Sequence, residues 1–357
     1  MRREAAVTDQ AQQLAEGSAG GEDLAVVVVN YGSHALLEKN LVPLSTALPT
    51  ARVVVVDNFT TVREAQAVGQ LVADHGWHAV YSHVNSGFGA GVNLGASRAI
   101  ELGAAALLLL NPDARIDAES VLDLRRLVLA DPDVLAAPRI LRSDGSVWFE
   151  GVDLLLKNGR MRSRARRPEG DDARFEPWLT GACLMVSRDL WLRLGGFDDE
   201  YFLYWEDVDL SHRAVALGGR LVVDSHARAT HDDGGTQGRV SDDAADRLLR
   251  RKSPLYYYFN TRNRLVFASK NLTERDLLRW TWNAAPAGLE ILLQGGRRQF
   301  LHPVAPLRAA LRGTAAGLAI GWRARLSARF RLSGGRRVVQ TRGGRGVSSS
   351  DPNRERG

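Results

Sequence analysis

The sequence predicts an α/β fold, a mixed and mostly parallel sheet flanked by helices, and three observations carry that expectation. Apolar, β-branched runs alternate with helix-like segments from Leu24 onward, the rhythm of strands joined by crossover helices. The runs Leu24 to Asn30, Arg52 to Asp57 and Ala105 to Leu110 are continuously apolar, as buried strands are. The last of these stops abruptly at Asn111-Pro112-Asp113, and because Pro112 cannot continue a central strand, Asp113 is expected just past its carboxyl end. Ligands bind at that edge of open α/β sheets.

The other elements follow in order. Ser33 suits the cap of a helix through Leu37 and Leu41, and Val62 to Asp74 reads as the next helix. Ala79 to Val84 is a weaker strand, after which a Gly-rich turn opens a helix to Leu102. Beyond a helix over Asp117 to Leu129 the rhythm breaks into short polar segments holding Trp148, Gly151 and the basic run Arg160 to Arg167. That break is expected to separate a donor-handling half, 24–130, from an acceptor-handling half, 131–250. Trp178 to Ser187 reads as a buried strand, Val208 to Leu217 as a helix ended by Gly218-Gly219, and Arg220 to Asp224 as strand-like. Residues 251–332 are expected to form a helical, basic region, and 1–23 and 333–357 to be disordered. No internal repeat is evident.

Composition sets the bounds. With 357 residues, 45% hydrophobic and 25% charged, the chain is an ordinary globular protein. The N-terminus lacks the apolar centre of a signal peptide, and no segment approaches the roughly 18 uninterrupted apolar residues of a spanning helix. A cytoplasmic protein is expected. The single cysteine, Cys183, excludes an internal disulfide and a Cys-based zinc site. A net charge of +6 is unevenly placed, with acids crowded between Asp198 and Asp243 and arginines recurring from Arg297 to Arg345. The basic end suits an anionic partner.

Chemistry is concentrated in a few motifs. Between Gly195 and Leu210 lie six carboxylates around a Gly turn and an aromatic run. Crowded acids repel and are costly to desolvate, so their retention suggests a chemical use. Glu206 and Asp207 fall in the first turn of a helix, where the macrodipole favours negative charge. Asp207 is the candidate general base for a sugar hydroxyl. Asn111-Pro112-Asp113 is the candidate site for Mg²⁺ or Mn²⁺, a hard cation needing oxygen ligands, though it is also good strand-to-turn chemistry. His231 is a candidate nitrogen ligand to the same metal, or a structural histidine.

Asp57, ending a strand beside the turn-forming Asn58, suits acceptance from a base N–H or simple strand termination. The stretch Asn85-Ser86-Gly87-Phe88-Gly89-Ala90-Gly91-Val92-Asn93-Leu94-Gly95 reads as a phosphate-cradling turn or as close helix–sheet packing. Its place after the third strand argues against a dehydrogenase. The run Tyr256 to Phe259 with Arg262-Asn263 could stack a sugar and hold an anionic acceptor, or pack as a helix.

Taken in order, Val56-Asp57-Asn58, Asn85-x-Gly87-Phe88, Asn111-Pro112-Asp113, Gly181-Ala182-Cys183, Gly196-Phe197-Asp198-Asp199, Glu206-Asp207-x-Asp209 and His231 resemble the family 2 glycosyltransferases, most of all bacterial rhamnosyltransferases of cell-wall and surface-polysaccharide assembly. The resemblance covers roughly Leu24 to Lys270. It implies a GT-A fold, a nucleoside-diphosphate sugar donor (dTDP- or UDP-linked) and inversion at the anomeric carbon. It further implies that Asp57 contacts the base, that Asp113 and His231 ligate the metal, and that Asp207 deprotonates the acceptor. Asn30, Tyr31, Asn58, Asn85, Gly87, Phe88, Asn93 and Asn111 complete the expected donor set, and Asp198, Trp205, Glu206 and Arg262 the acceptor set. Asn111 stands where the usual signature has its first acid, one carboxylate fewer for a metal.

The expected reaction moves L-rhamnose from dTDP-rhamnose to a polyprenyl-diphosphate-linked saccharide at the inner face of the plasma membrane. The Arg-rich segment from Gly295 to Arg337, with Trp322 and Phe330, is expected on an anionic membrane surface. Alternatives are UDP-galactofuranose or UDP-N-acetylglucosamine as donor, or a catalytically silent nucleotide-binding module. No nucleic-acid motif accompanies the basic tail.

Overall fold

The computed structural model describes residues 21–166, 175–231, 252–294 and 304–335. Apart from their inner ends, the segments expected to be disordered, 1–23 and 333–357, lie outside these residues. Among the described residues nine strands form the main sheet in the order β3 (His78–Tyr81), β2 (Arg52–Asp57), β1 (Leu24–Asn30), β4 (Ala106–Leu110), β11 (Cys183–Ser187), β6 (Val134–Leu141), β12 (Arg220–His231) and β5 (Ala114–Ile116), with β7 (Val147–Phe149) paired to β6. The first four are parallel. β11 runs antiparallel between β4 and β6, and β12 returns parallel to β6. A smaller antiparallel sheet is ordered β10 (Phe175–Trp178), β8 (Val152–Leu155), β9 (Arg160–Ser163).

The helices are α1, built of His34–Leu36, a π-helical turn Leu37–Leu41 and Val42–Ala47, then α2 (Val62–His75), α3 (Phe88–Glu101), α4 (Ala118–Ala130), α5 (Arg188–Leu194) and α6 (Glu206–Ala216). The C-terminal region adds α7 (Pro254–Asn271), α8 (Glu274–Trp282), α9 (Ala284–Leu293) and α10 (Val304–Gly335). Every residue of β1 and β4 is buried, which is why their sequences are unbroken apolar runs. α3 lies against β1 and β2 through Gly91 and Gly95, and a Cβ on Gly95 would stand 2.5 Å from Val27 Cγ1 and 2.8 Å from Val56 Cγ2. The close-packing reading holds for these two glycines.

Several elements differ from expectation for identifiable reasons. The expected strand over Trp178 to Ser187 is two strands in different sheets, β10 and β11, and residues 179–182 cross between them. β6 was hidden by Pro138, which lacks a ladder donor. The sheet accommodates it because β12 shifts register between Asp224 and Arg228, directly after the Asp224–Pro138 pair. β12 also runs on to His231, so that histidine is a strand residue. Ser33 does not cap α1 through its side chain. Its hydroxyl donates instead to Asn30 Oδ1 at 2.9 Å.

A second core joins the acid-rich segment to the C-terminal helices. Leu154, Tyr201, Trp205, Val208, Leu265, Phe267, Leu277 and Trp280 are all buried in it. α10 then crosses α7 so closely that a Cβ on Gly313 would lie 2.2 Å from Tyr258 O. Among the described residues no helix is long and apolar enough to cross a membrane.

Candidate active site

The strand order reverses between β1 and β4, and crevices at the carboxyl ends of such strands bind ligands. Asn30 and Asp57 are paired at that rim, and both are buried. Asn30 Nδ2 donates to Asp57 Oδ1 at 3.3 Å and to Glu64 Oε1 at 3.0 Å. Glu64 in turn accepts from the His34 backbone N–H at 2.7 Å and meets its imidazole Nδ1 at 2.7 Å. Burial pushes the Asp57 carboxyl up, the Asn30 donor opposes this, and the Glu64 charge adds to it. Burial also acts to raise Glu64, but hydrogen bonds from Asn30 and His34 outweigh it and hold that carboxyl low. Asp57 Oδ2 has no hydrogen-bond partner among the described residues, so this buried oxygen is available to a ligand N–H. Tyr31, the next residue after β1, is 47% exposed.

Asn58 staples the Gly-rich turn to the end of β2. Its Nδ2 donates to Asn85 Oδ1 and Gly87 O, both at 3.0 Å, and its Oδ1 accepts from Ser86 N at 3.0 Å. The close approach that Gly87 permits is taken up by protein rather than left for a phosphate. Gly87 sits at φ 92° and a Cβ there would lie 2.3 Å from Phe202 O. Its N–H donates to Asn85 Oδ1 at 2.9 Å, and the Phe88 N–H donates to Phe202 O at 2.7 Å. The turn is thereby bound to the acid-rich loop. Asn93, one turn further along α3, donates to Phe197 O at 2.8 Å and accepts from Phe197 N at 2.8 Å.

Past β4, the Asn111 N–H donates to Ala182 O at 2.9 Å, and Asn40, turned inward by the π-helical turn, donates to Pro112 O at 2.8 Å. Buried Asp113 lies 3.2 Å, Oδ1 to Nε2, from buried His231, whose ring stacks on Trp148 with centroids 4.5 Å apart. The Asn111 side-chain oxygen has no partner among the described residues.

The acid cluster sorts into different roles. Asp209 is structural, accepting from Tyr201 Oη at 3.0 Å, Asn271 Nδ2 at 2.8 Å and Arg213 Nε at 2.7 Å. Asp198 caps the 3₁₀ turn Asp199–Tyr201 and pairs with Lys270. Burial raises it, but that pair and the Glu200 N–H hold it below its ordinary range. Asp207 accepts from Gly181 N at 3.0 Å and Val208 N at 2.9 Å. Burial pushes its carboxyl up to about 6 in spite of these bonds. Glu206 beside it is driven well above the carboxylate range by burial and by the Asp207 charge, and its Oε2 has no partner among the described residues.

Gly181 and Ala182 are the junction. A Cβ on Gly181 would lie 3.4 Å from Phe88 Cε1 and 3.5 Å from Asp207 Cβ, while Ala182 O holds Asn111. The residues expected to serve donor, metal and base therefore share one rim of the sheet. Three of the four expected acceptor residues are engaged within the protein, Asp198 among them through Lys270 and the Glu200 N–H. The Trp205 ring is core, packed on Phe267 and Trp280. Arg262 donates to Glu200 O at 2.8 Å and pairs with its carboxylate. The residues that pattern reading missed, His34, Asn40 and Glu64, act on partners 30 or more positions away. Only the Thr61-x-x-Glu64 spacing at the start of α2, with Thr61 accepting from Glu64 N at 3.1 Å, gave a local signal.

No family model matches the chain. In sequence it is 26% identical over 283 residues to the low-salt glycan biosynthesis hexosyltransferase Agl10 of Haloferax volcanii, covering 77% of this chain and 83% of that protein. It is 28% identical over 265 residues to an N-acetylglucosaminyl-diphospho-decaprenol L-rhamnosyltransferase of Mycobacterium tuberculosis, covering 67% of this chain and 85% of that one. Among solved structures, a mannosyltransferase of Pyrobaculum calidifontis in complex with GDP-Man and Mn²⁺ aligns with a TM-score of 0.48 at 15% identity, over 91% of this chain and 99% of that one.

Proposed function

We propose that the chain is a GT-A glycosyltransferase of glycan or cell-wall polysaccharide synthesis, a reading its sequence relatives support, and that it moves L-rhamnose from dTDP-rhamnose to a hydroxyl of a polyprenyl-diphosphate-linked saccharide, with inversion. The observation that supports this reading is the two-residue bridge Gly181-Ala182, which sets the Asp207 carboxylate beside the strand end that carries Asn111 and Asp113. In the reaction Asp207 takes the proton of the acceptor hydroxyl as that oxygen bonds to the anomeric carbon. The bond from that carbon to the diphosphate oxygen breaks on the opposite face, and the electron pair leaves with the nucleoside diphosphate. Asp57 Oδ2 accepts from the pyrimidine N–H in this reading, which its lack of a partner among the described residues and the Asn30–Glu64–His34 network behind it support.

Asp113 and His231 fit a divalent cation only in part. They supply one carboxylate and one imidazole, and among the described residues no cluster of three or more His, Cys, Asp or Glu forms. Mg²⁺ and Mn²⁺ often take few protein ligands and complete their shell with water and substrate phosphates. Asp113 and His231 would hold the ion, whose positive charge would offset the charge building on the departing diphosphate. A screen of dTDP-rhamnose, UDP-galactofuranose and UDP-N-acetylglucosamine tests the reading. Nucleotide release is expected to be fastest with dTDP-rhamnose and abolished by chelation of the metal. Release from a UDP-sugar alone would reassign the donor, and release from none would leave a silent binding module.

The lipid-linked acceptor requires access to a membrane, and the C-terminal helices suit its inner, anionic face. α10 contains six arginines and no acid over Val304–Gly335. Trp282 is 84% exposed, Leu311 62% and Trp322 53%. Interfacial tryptophans beside basic residues are the composition of a surface-lying helix. The protein is expected to sediment with phosphatidylglycerol vesicles at low salt, to be released at high salt, and to bind several-fold more weakly as Trp282→Ser. Absence of low-salt binding would contradict the membrane role.

A further inference from the structure

The loop that delivers Glu206 and Asp207 is under backbone strain. Phe202, Tyr204 and Trp205 have φ of 60°, 65° and 74°, a region that bulky L-residues seldom occupy. Strain of that kind persists only where the surroundings over-determine it. Packing holds Tyr201 and Trp205 in the second core, and one side chain gathers the loop's carbonyls. Asn263 on α7 is completely buried, and its Nδ2 lies 2.7 Å from Tyr201 O, 2.8 Å from Leu203 O and 2.8 Å from Tyr204 O. Two amide hydrogens are shared among three carbonyls, which a rarely populated loop conformation turns toward a single point. The same residue's Oδ1 accepts from Arg262 Nη1 at 2.6 Å, which aims that guanidinium at Glu200 O. On its other side the loop gives Phe202 O to the Phe88 N–H.

We propose that Asn263 is a positioning residue for the acid pair. It holds the strained 201–205 loop in the one conformation that starts α6 at Glu206 and turns Asp207 toward Gly181. The strain is then part of the site, since a relaxed loop would begin α6 elsewhere and swing both carboxylates off the rim. The C-terminal region thus reaches the chemistry through an amide on α7 rather than through the Arg262 charge expected to hold an acceptor. This inference deepens the transferase reading and rests on it only for its kinetic arm.

The test compares Asn263→Ala and the milder Asn263→Ser, which keeps one hydroxyl donor, with the wild-type full chain. Folded Asn263→Ala is expected to lose about 100-fold in kcat, as misplacing a catalytic group does, with donor KM within about threefold, and Asn263→Ser is expected to fall between. A merely structural role would lower Tm while leaving kcat per folded molecule unchanged, and that result overturns the proposal. Hydrogen exchange supplies a readout independent of activity. Amides of residues 199–207 should exchange at least tenfold faster in the variant, while those of β1 and β4 are unchanged. If wild type transfers no sugar, the transferase reading falls and exchange alone decides, with unchanged loop protection overturning the clamp. If Asn263→Ala does not fold, Asn263→Ser is measured by the same two readouts with the same criteria.

Discussion

Asp207→Asn is expected to lower transfer by at least a factor of about 10³ while dTDP binding stays within about twofold, since the amide keeps the side chain's shape but cannot take a proton. Wild-type kcat should rise through pH about 6, where the buried carboxyl loses its proton, and the variant's residual rate should lose that limb. Stability should move the other way. The folded-state pKa lies above the unfolded value of 3.8, so the unfolded acid gives up its proton first, and wild-type stability falls as the pH rises from about 3.8 to about 6, above which the loss is complete. The Asn variant does not suffer it. At pH 7 the variant should therefore unfold at equal or higher urea than wild type, and this pH-dependent difference should shrink as the pH falls below about 6 and disappear only below about 3, where Asp207 is protonated in the folded and unfolded chain alike. A variant retaining a tenth of wild-type turnover would remove Asp207 from the role of base.

The second large effect is on the fold that holds the loop. Trp280 is completely buried, packs on Trp205 and Phe267, and donates from Nε1 to Leu156 O at 2.8 Å. Arg264 lies over its ring at 4.7 Å, its guanidinium pushed down to about 10 by burial although the Glu290 charge opposes this. Trp280→Ala removes one of the two tryptophans of the second core and leaves the Leu156 carbonyl without its donor. A loss of about 3–5 kcal/mol is expected, read from the urea midpoint at constant m-value. The same variant should lose nucleotide-dependent turnover at temperatures where β1 to β4 remain folded by hydrogen exchange. A change below about 1 kcal/mol would mean that α8 adds little to the acid loop's support.

The sequence announced the rim of this site more clearly than its supports. Asp57 and Asp113 were legible because an unbroken buried run ends at the first and just before the Asn-Pro-Asp turn that carries the second. β6 was not legible because Pro138 contradicts a central strand unless the partner strand bulges opposite it, and that bulge belongs to β12, more than 80 positions away. Asp209 resembled its acidic neighbours, yet Arg213 four residues on was the local sign that it is spent on structure. Nothing near Asn263 in sequence foretells its work, since all three of its carbonyl partners lie about 60 positions upstream. Trp148 was visible only as an aromatic among short polar segments, and its stacking on His231 depends on β7 joining the far side of the sheet.

The most direct test of a shared cleft is a crystal soaked with dTDP and Mn²⁺ and measured at the manganese absorption edge. An anomalous peak beside Asp113 and His231, with the base at Asp57 and the diphosphate on the side of the rim that faces Asp207, is the outcome expected here. Nucleotide bound at the opposite edge of the sheet, or manganese bound away from Asp113 with the nucleotide in place, would contradict it.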